Sequence, residues 1–292
     1  MKRIALWSAA VFALVALLLL VAAPRDSAAL TIERDVVYGT AQGTPLLLDL
    51  AMPKTGNGPF PVVVFLHGGG WSEGNRQEMN HFIEGVAGLG YVGVTVAYRL
   101  VPAARFPAQL EDCKAAVRWL RANAAKYRIN PKRIGVVGFS AGGHLASMLG
   151  VTGKNDGLEG AGGNPDQSSR VQAVVSFFGL TDFSTRDWPR DLENGVIEPF
   201  LGGSFANHAD EYRRASPITY VTSDAPPFLF FHGSEDKLVP VDQSKQLGEK
   251  LRNAGVFAEV NVLEGEGHGF TDAANQKAMR RMLDFLDAHL KR

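Results

Sequence analysis

The sequence predicts an α/β fold, with a mostly parallel central sheet of about eight strands flanked by helices. Several short runs consist of consecutive Val, Ile and Phe without polar alternation, which is typical of strands covered on both faces. Segments with a helical period of apolar residues separate these runs. Strands that alternate with such helices indicate βαβ units with right-handed crossovers.

Eight segments carry the strand signal, and at least two segments carry the helix signal. The predicted strands are Arg34 to Tyr38, Leu46 to Met52, Val62 to Leu66, Val92 to Tyr98, Ile134 to Phe139, Val171 to Phe178, Phe228 to His232 and Val256 to Leu263. One helix is predicted from Pro107 to Lys126, and apolar residues recur at helical spacing from Met279 to Leu290 in the last one. The Gly-rich stretch from Lys154 to Pro165 is predicted to be a mobile surface loop.

The composition limits the classes of protein that fit. The chain has 292 residues, 46% of them hydrophobic, with 30 Lys and Arg against 30 Asp and Glu. Disordered chains have lower hydrophobicity, and nucleic-acid-binding domains carry a basic excess, so no nucleic-acid partner is expected. The single Cys excludes an internal disulfide and a multi-cysteine zinc site.

The first 29 residues are predicted to be a leader that precedes one domain. Lys2 and Arg3 come before a long apolar run, and Ser27 and Ala29 occupy small-residue positions typical of signal-peptide cleavage. The run is also long enough to remain as a membrane anchor. We therefore expect a secreted or periplasmic protein, in contact with a membrane only if the leader is retained. Residues 30–292 are predicted to form a single domain, with a cap or lid inserted around residues 180–227, where no strand signal occurs.

Two serines lie in a G-x-S-x-G pattern, in which small flanking residues permit a strained turn that exposes the hydroxyl. Ser140 directly follows a predicted buried strand and precedes a small, apolar segment suited to a helix. Ser72 is followed by a loop sequence instead. The strand, turn and helix context predicts Ser140 as the nucleophile.

A glycine run after the third predicted strand suits an oxyanion hole. Gly69 and Gly70 can present main-chain N–H groups to a ligand without obstruction by a Cβ atom. Ala141 would add a third N–H at the start of the helix after Ser140. His67, which precedes the glycines, is predicted to brace the loop rather than to transfer protons.

A general base and its orienting acid are predicted on the loops after the last two strands. His268 follows the last strand within a Gly-rich loop, where a base can approach a nucleophile distant in sequence. The preceding strand's loop supplies Asp236, preferred here, with Glu235 as the alternative; Asp182 is a weaker candidate. The chain order Ser140, Asp236, His268 is the order of α/β-hydrolases.

Four aromatic residues border these loops and are candidates for a substrate pocket: Trp71, Phe178, Phe183 and Phe270. A position in the core explains any one of them equally simply.

The assembled motifs resemble the α/β-hydrolase superfamily, specifically the microbial carboxylesterase branch that includes acetyl xylan and feruloyl esterases. The resemblance extends from Asp35 to Leu290 and depends on His67-Gly68-Gly69-Gly70-Trp71, Gly138-Phe139-Ser140-Ala141-Gly142, His232-Gly233 with Asp236, and Gly267-His268-Gly269-Phe270. It implies hydrolysis of a small-molecule or carbohydrate ester through an acyl-enzyme. No phosphate-binding loop and no metal-ligand spacing occur, so no cofactor and no metal are expected.

Two other functions fit part of the pattern. Prolyl-oligopeptidase-type serine peptidases share the order of the three residues and a similar His-Gly, Asp, Val-Pro segment. A catalytically inactive hydrolase that serves as a binding protein would be expected to lack one of the three residues, and here all three are present.

Overall fold

The computed structural model describes residues 29–185 and 188–291. Eight strands form one sheet in the spatial order β1-β2-β4-β3-β5-β6-β7-β8. The strands are β1 (Leu30–Ala41), β2 (Thr44–Pro53), β3 (Phe60–Leu66), β4 (Val92–Val96), β5 (Ile129–Phe139), β6 (Ala173–Phe177), β7 (Phe228–Gly233) and β8 (Ala258–Leu263). The predicted sheet of about eight strands is confirmed.

Most neighbouring strands are parallel, as predicted, and the exceptions lie at one edge. β1 pairs antiparallel with β2, and β2 pairs antiparallel with β4, whereas the other five pairs are parallel. Gln42 and Gly43 join β1 to β2 with φ angles of 49° and 79°. Two successive positive φ angles are typical of the tight turns that connect antiparallel strands.

Helices cover both faces of the sheet, which explains the continuous apolar strand sequences. The longer helices are α1 (Asn80–Gly88), α2 (Ala108–Ala122), α3 (Ala141–Val151), α4 (Phe205–Ala215), α5 (Asp242–Asn253) and α6 (Asp272–Leu290). In β3, Val62 and Val64 belong to the core cluster shared with α2, α3 and α5, whereas Val63 and Phe65 belong to the cluster shared with α1 and α6. Successive side chains of a strand point to opposite faces, so both faces of β3 are apolar.

The described part of the chain between β6 and β7 contains helices and no strand. A helical stretch comprises Arg190–Leu192, a π-helical turn at Glu193–Ile197 and Glu198–Leu201, and α4 and the 3₁₀ turn Pro217–Tyr220 follow. The stretch packs against the loop that follows β3, because Phe200 stacks on Trp71 at 3.9 Å between ring centroids. The segment is the one in which a cap is predicted, and its role as a cap is taken up below.

The Gly-rich segment Lys154 to Pro165 is tethered, in contrast to the mobile loop expected from its composition. Glu159 accepts hydrogen bonds from Lys114 and Arg118 of α2 at 2.7 and 2.8 Å. Both cationic side chains are buried, and their ion pairs with Glu159 hold the loop against α2.

The predicted leader at residues 1–29 lies, except for Ala29, outside the described residues, and it stays a prediction. In the ranges 29–185 and 188–291, the helices are all too short or too polar to cross a membrane.

Candidate active site

Ser140 occupies a strained turn between β5 and α3. Its φ and ψ angles are 53° and −116°, an unusual backbone conformation for a residue with a side chain. The flanking glycines are required by space: a Cβ atom on Gly138 would lie 2.0 Å from the Gly142 carbonyl oxygen, and one on Gly142 would lie 2.2 Å from the Leu66 oxygen. The G-x-S-x-G pattern at this position therefore reflects a close approach of three backbone segments.

His268 lies between Ser140 and Asp236 and is hydrogen-bonded to both. Its Nε2 is 2.9 Å from the Ser140 Oγ, and its Nδ1 is 2.7 Å from the Asp236 Oδ2. Nδ1 donates to the carboxylate, so Nε2 of the neutral ring accepts the Ser140 proton. The structure thus brings together the three residues predicted as nucleophile, base and orienting acid. Ser140 and His268 are 128 positions apart in the chain.

The structure places Asp236, and not the alternatives, against His268. The Asp236 Oδ1 accepts hydrogen bonds from the backbone N–H groups of Leu238 and Val239, both at 2.9 Å. Glu235 is exposed. The carboxylate of Asp182 accepts from Ser184 instead.

The surroundings of Asp236 stabilise its ionised form. Burial alone would raise the pKa of the carboxyl group, but hydrogen bonds from His232, His268 and the backbone outweigh that effect. The pKa of Asp236 consequently lies well below its usual range. A permanently ionised carboxylate is suited to hold an imidazole in one orientation and to stabilise its cation.

The glycine loop after β3 passes beside Ser140. A Cβ atom on Gly68 would lie 3.4 Å from the Ser140 Cβ. Within the described residues, the N–H groups of Gly69 and Gly70 make no hydrogen bond to the protein. Ala141 is the first residue of α3, where backbone N–H groups have no intrahelical acceptor. All three predicted donors are therefore available to a ligand.

His67 is buried and braces the glycine loop. Its Nδ1 donates to the Gly68 carbonyl oxygen at 2.8 Å, and its ring stacks on Tyr98 at 4.3 Å. Burial lowers the pKa of His67 to about 4, so the ring is neutral at physiological pH. This geometry agrees with the bracing role expected from the sequence.

The second G-x-S-x-G serine has none of these surroundings. Ser72 is exposed, and its hydroxyl lies 3.4 Å from the Gly69 carbonyl oxygen. Within the part of the chain that the structure describes, no histidine contacts it.

The four predicted pocket aromatics are all buried, and they form two groups. Phe178 packs against His268 at 4.6 Å between ring centroids, and Phe270 contacts Phe178 at 5.3 Å. Trp71 and Phe183 form the second group, with their ring centroids 5.8 Å apart. Phe178 and Phe270 therefore lie beside His268, whereas Trp71 and Phe183 belong to the hydrophobic core.

Further residues, which the sequence patterns did not predict as part of a pocket, pack around Trp71 and Gly70. Phe200 stacks on Trp71, and the His144 ring meets Trp71 edge-on at 5.2 Å. Val196 of the π-helical turn lies beside Gly70, since a Cβ atom on Gly70 would be 2.9 Å from its Cγ1. A π-helical turn often marks a functional position, but such a turn has no recognisable sequence pattern.

Metal ligands are not grouped in this structure: among residues 29–185 and 188–291, no three His, Cys, Asp or Glu side chains could jointly hold an ion. The predicted absence of a cofactor stays a prediction.

The sheet order and the sequence order of Ser140, Asp236 and His268 define the α/β-hydrolase fold class. The chain belongs to the BD-FAE family, whose family model matches residues 48–251. This match does not test the narrower assignment expected from the sequence, the branch of acetyl xylan and feruloyl esterases.

Several relatives of this chain are esterases by name. The chain is 37% identical to esterase LipC of Mycobacterium tuberculosis over 248 residues, which cover 82% of this chain and 60% of LipC. The chain spans between 48% and 60% of the length of this and two further curated relatives. A truncated carbohydrate esterase from gut microbiota superposes with a TM-score of 0.78 at 28% identity, covering 90% of this chain and 97% of that one. An esterase from Thermogutta terrifontis gives a TM-score of 0.75 at 27% identity, with 91% and 94% covered.

Proposed function

We propose that this protein is a serine carboxylesterase that acts through an acyl-enzyme. The observation that carries the proposal is the hydrogen-bonded chain from Ser140 through His268 to Asp236, with distances of 2.9 and 2.7 Å. An arrangement of nucleophile, base and orienting acid with this geometry supports acyl transfer on several unrelated folds. The similarity of the chain to named esterases supports the same reaction.

The mechanism begins when the His268 Nε2 takes the proton of Ser140. The Ser140 Oγ attacks the ester carbonyl carbon, and the carbonyl oxygen becomes an oxyanion facing the N–H groups of Gly69, Gly70 and Ala141. The bond to the alcohol oxygen then breaks as protonated His268 returns the proton to that oxygen. Water repeats the sequence on the acyl-enzyme, which releases the acid and restores Ser140.

The substrate in this proposal is a small ester with a short or aromatic acyl group, including acetylated or feruloylated carbohydrates. Val196 lies beside Gly70 and Phe200 stacks on Trp71, and these contacts with the glycine loop support a cap role for the insertion around residues 180–227. The Thermogutta esterase is known with propionate and with butyrate bound. A panel of alkyl esters of increasing length, compared with acetylated and feruloylated saccharides, separates these substrates.

The proposal is tested by the turnover of p-nitrophenyl acetate and of a prolyl amide. We expect ester turnover that falls by at least about 10⁴-fold in Ser140→Ala, because no other group supplies the nucleophile. The matched control is Ser72→Ala, which removes the serine of the second G-x-S-x-G pattern and should leave turnover nearly unchanged. Ester turnover that survives Ser140→Ala would contradict the proposal, and preferential cleavage of the prolyl amide would indicate a peptidase.

A further inference from the structure

A second histidine lies behind the Asp236 carboxylate. His232, near the end of β7, is fully buried, and its Nε2 is 3.3 Å from the Asp236 Oδ2. The same nitrogen is 2.9 Å from the Val239 carbonyl oxygen. On the far side of the ring, Nδ1 is 2.8 Å from the Oγ of Ser244 in α5, which is also fully buried.

These neighbours define the tautomer of His232. Nε2 faces two oxygen atoms that can only accept, so Nε2 carries the hydrogen and shares it between the Val239 carbonyl and the Asp236 carboxylate. Nδ1 of the neutral ring is then an acceptor, and the Ser244 hydroxyl donates to it. Ser244 thereby holds the ring in the form that donates toward Asp236.

We propose that His232, oriented by Ser244, is a positioning residue that fixes the Asp236 carboxylate for the reaction of His268. The inference depends on the proposed esterase mechanism and extends it by two residues. Its basis is the geometry of one oxygen atom: Oδ2 accepts from His268 at 2.7 Å and faces His232 at 3.3 Å.

The contacts around Asp236 leave the carboxylate little freedom to rotate. Oδ1 accepts from two backbone N–H groups, and Oδ2 lies between two imidazole rings. His232 and His268 are the two titratable side chains that contact Asp236 among the described residues. Loss of the His232 donor removes one of the two groups that hold Oδ2. The negative charge of the carboxylate is then compensated mainly by His268 on that side.

The test compares His232→Leu, His232→Gln and Ser244→Ala in the full chain. We expect kcat to fall about 10- to 100-fold in His232→Leu with KM nearly unchanged, a loss comparable to that from removing outer partners of metal-bound histidines. His232→Gln places an amide donor near the position of Nε2 and should recover most of kcat. Ser244→Ala should show a smaller loss, because the ring keeps its donor but loses the group that selects its tautomer.

The pH profile distinguishes positioning from structural support. Without the His232 donor, the Asp236 charge is compensated less and stabilises protonated His268 more strongly. The acid limb of kcat/KM should therefore move to higher pH in His232→Leu, by about half a pH unit or more. The control variant is Ser147→Ala, which removes an equally buried helix hydroxyl that bonds a backbone carbonyl, and it should not move the limb.

Thermal unfolding of each variant shows whether the fold persists. If His232→Leu does not fold, His232→Gln and Ser244→Ala carry the test through their kcat and acid limbs. Folded His232 and Ser244 variants with unchanged kcat and an unmoved acid limb would overturn the inference while Ser140-dependent esterase activity stands. Wild-type protein without Ser140-dependent ester turnover would instead refute the proposed function.

Discussion

His67 and His144 are buried and uncharged near the turn that holds Ser140. Burial lowers the pKa of each to about 4. The His144 Nε2 is 2.8 Å from the Ala215 carbonyl oxygen, and the ring is otherwise surrounded by aromatic side chains. In the unfolded chain both rings bind a proton below about pH 6.5. Their contribution to stability is therefore present above pH 6.5 and is lost as the pH falls toward 4.

The free energy of unfolding should consequently decrease between pH 7 and pH 5. Each histidine contributes about 2 kcal/mol to this decrease, since the unfolded chain gains a proton that the folded ring does not bind. Urea denaturation at the two pH values measures the effect. His144→Gln, which stays neutral and can still donate to Ala215, should lower the pH dependence by about 2 kcal/mol. An equal pH dependence in wild type and His144→Gln would contradict this account.

Single residues show what the sequence could and could not indicate about the site. The positions of Ser140 and His268 follow from local patterns, namely a strand before a glycine-flanked serine and a glycine-rich loop after the last strand. Asp236 and Glu235 are adjacent carboxylates, and their sequence positions alone left Glu235 open. The turn that buries Asp236 against the backbone of Leu238 and Val239 decides between them. The contact of His232 with the Asp236 carboxylate depends on that same turn, and a position near the end of a strand does not predict it.

At the level of elements, α2 shows a charged surface that faces inward. Lys114 and Arg118 are one helical turn apart, and both contact the Glu159 carboxylate. Ser169 donates to the same carboxylate at 2.7 Å. The apolar period predicted the helix correctly, but it gave no sign that two cations lie on the packed side. Their partner is in a loop whose composition indicated mobility.

Removal of one cation should destabilise the protein. Lys114→Met keeps much of the side-chain volume and leaves Glu159 short of one partner. We expect a loss of about 2 kcal/mol in the free energy of unfolding, below the usual range for a buried pair because Glu159 is partly exposed to solvent.

Chemical denaturation measures the loss, with Lys132→Met as the control at an exposed lysine. The control should change stability by less than about 0.5 kcal/mol. Similar losses in the two variants would show that the contact with Glu159 does not stabilise the loop.

For the molecule as a whole, the sheet topology is what assembles the site. Ser140, Asp236 and His268 follow β5, β7 and β8, and the carboxyl ends of parallel strands meet at one edge of the sheet. The strand runs and their parallel arrangement were predictable because buried parallel strands have a distinctive composition. The exchange of β3 and β4 in the sheet order and the antiparallel edge were not, because they depend on pairing between distant segments.

The insertion between β6 and β7 was predictable only as a region without strands. Two of its residues near the site, Val196 beside Gly70 and Phe200 on Trp71, lie in short helical turns without a clear apolar period. The chain thus combines a scaffold that its sequence specifies strongly with a helical segment whose placement depends on tertiary contacts.

Covalent labelling tests most directly whether Ser140 is the nucleophile. The Thermogutta esterase has been observed phosphonylated by sarin. Treatment of this protein with a fluorophosphonate, followed by peptide mass spectrometry, should give one adduct, on Ser140, with loss of ester turnover in proportion to labelling. An adduct on Ser72, or full labelling elsewhere with Ser140 unmodified and turnover lost, would contradict the account.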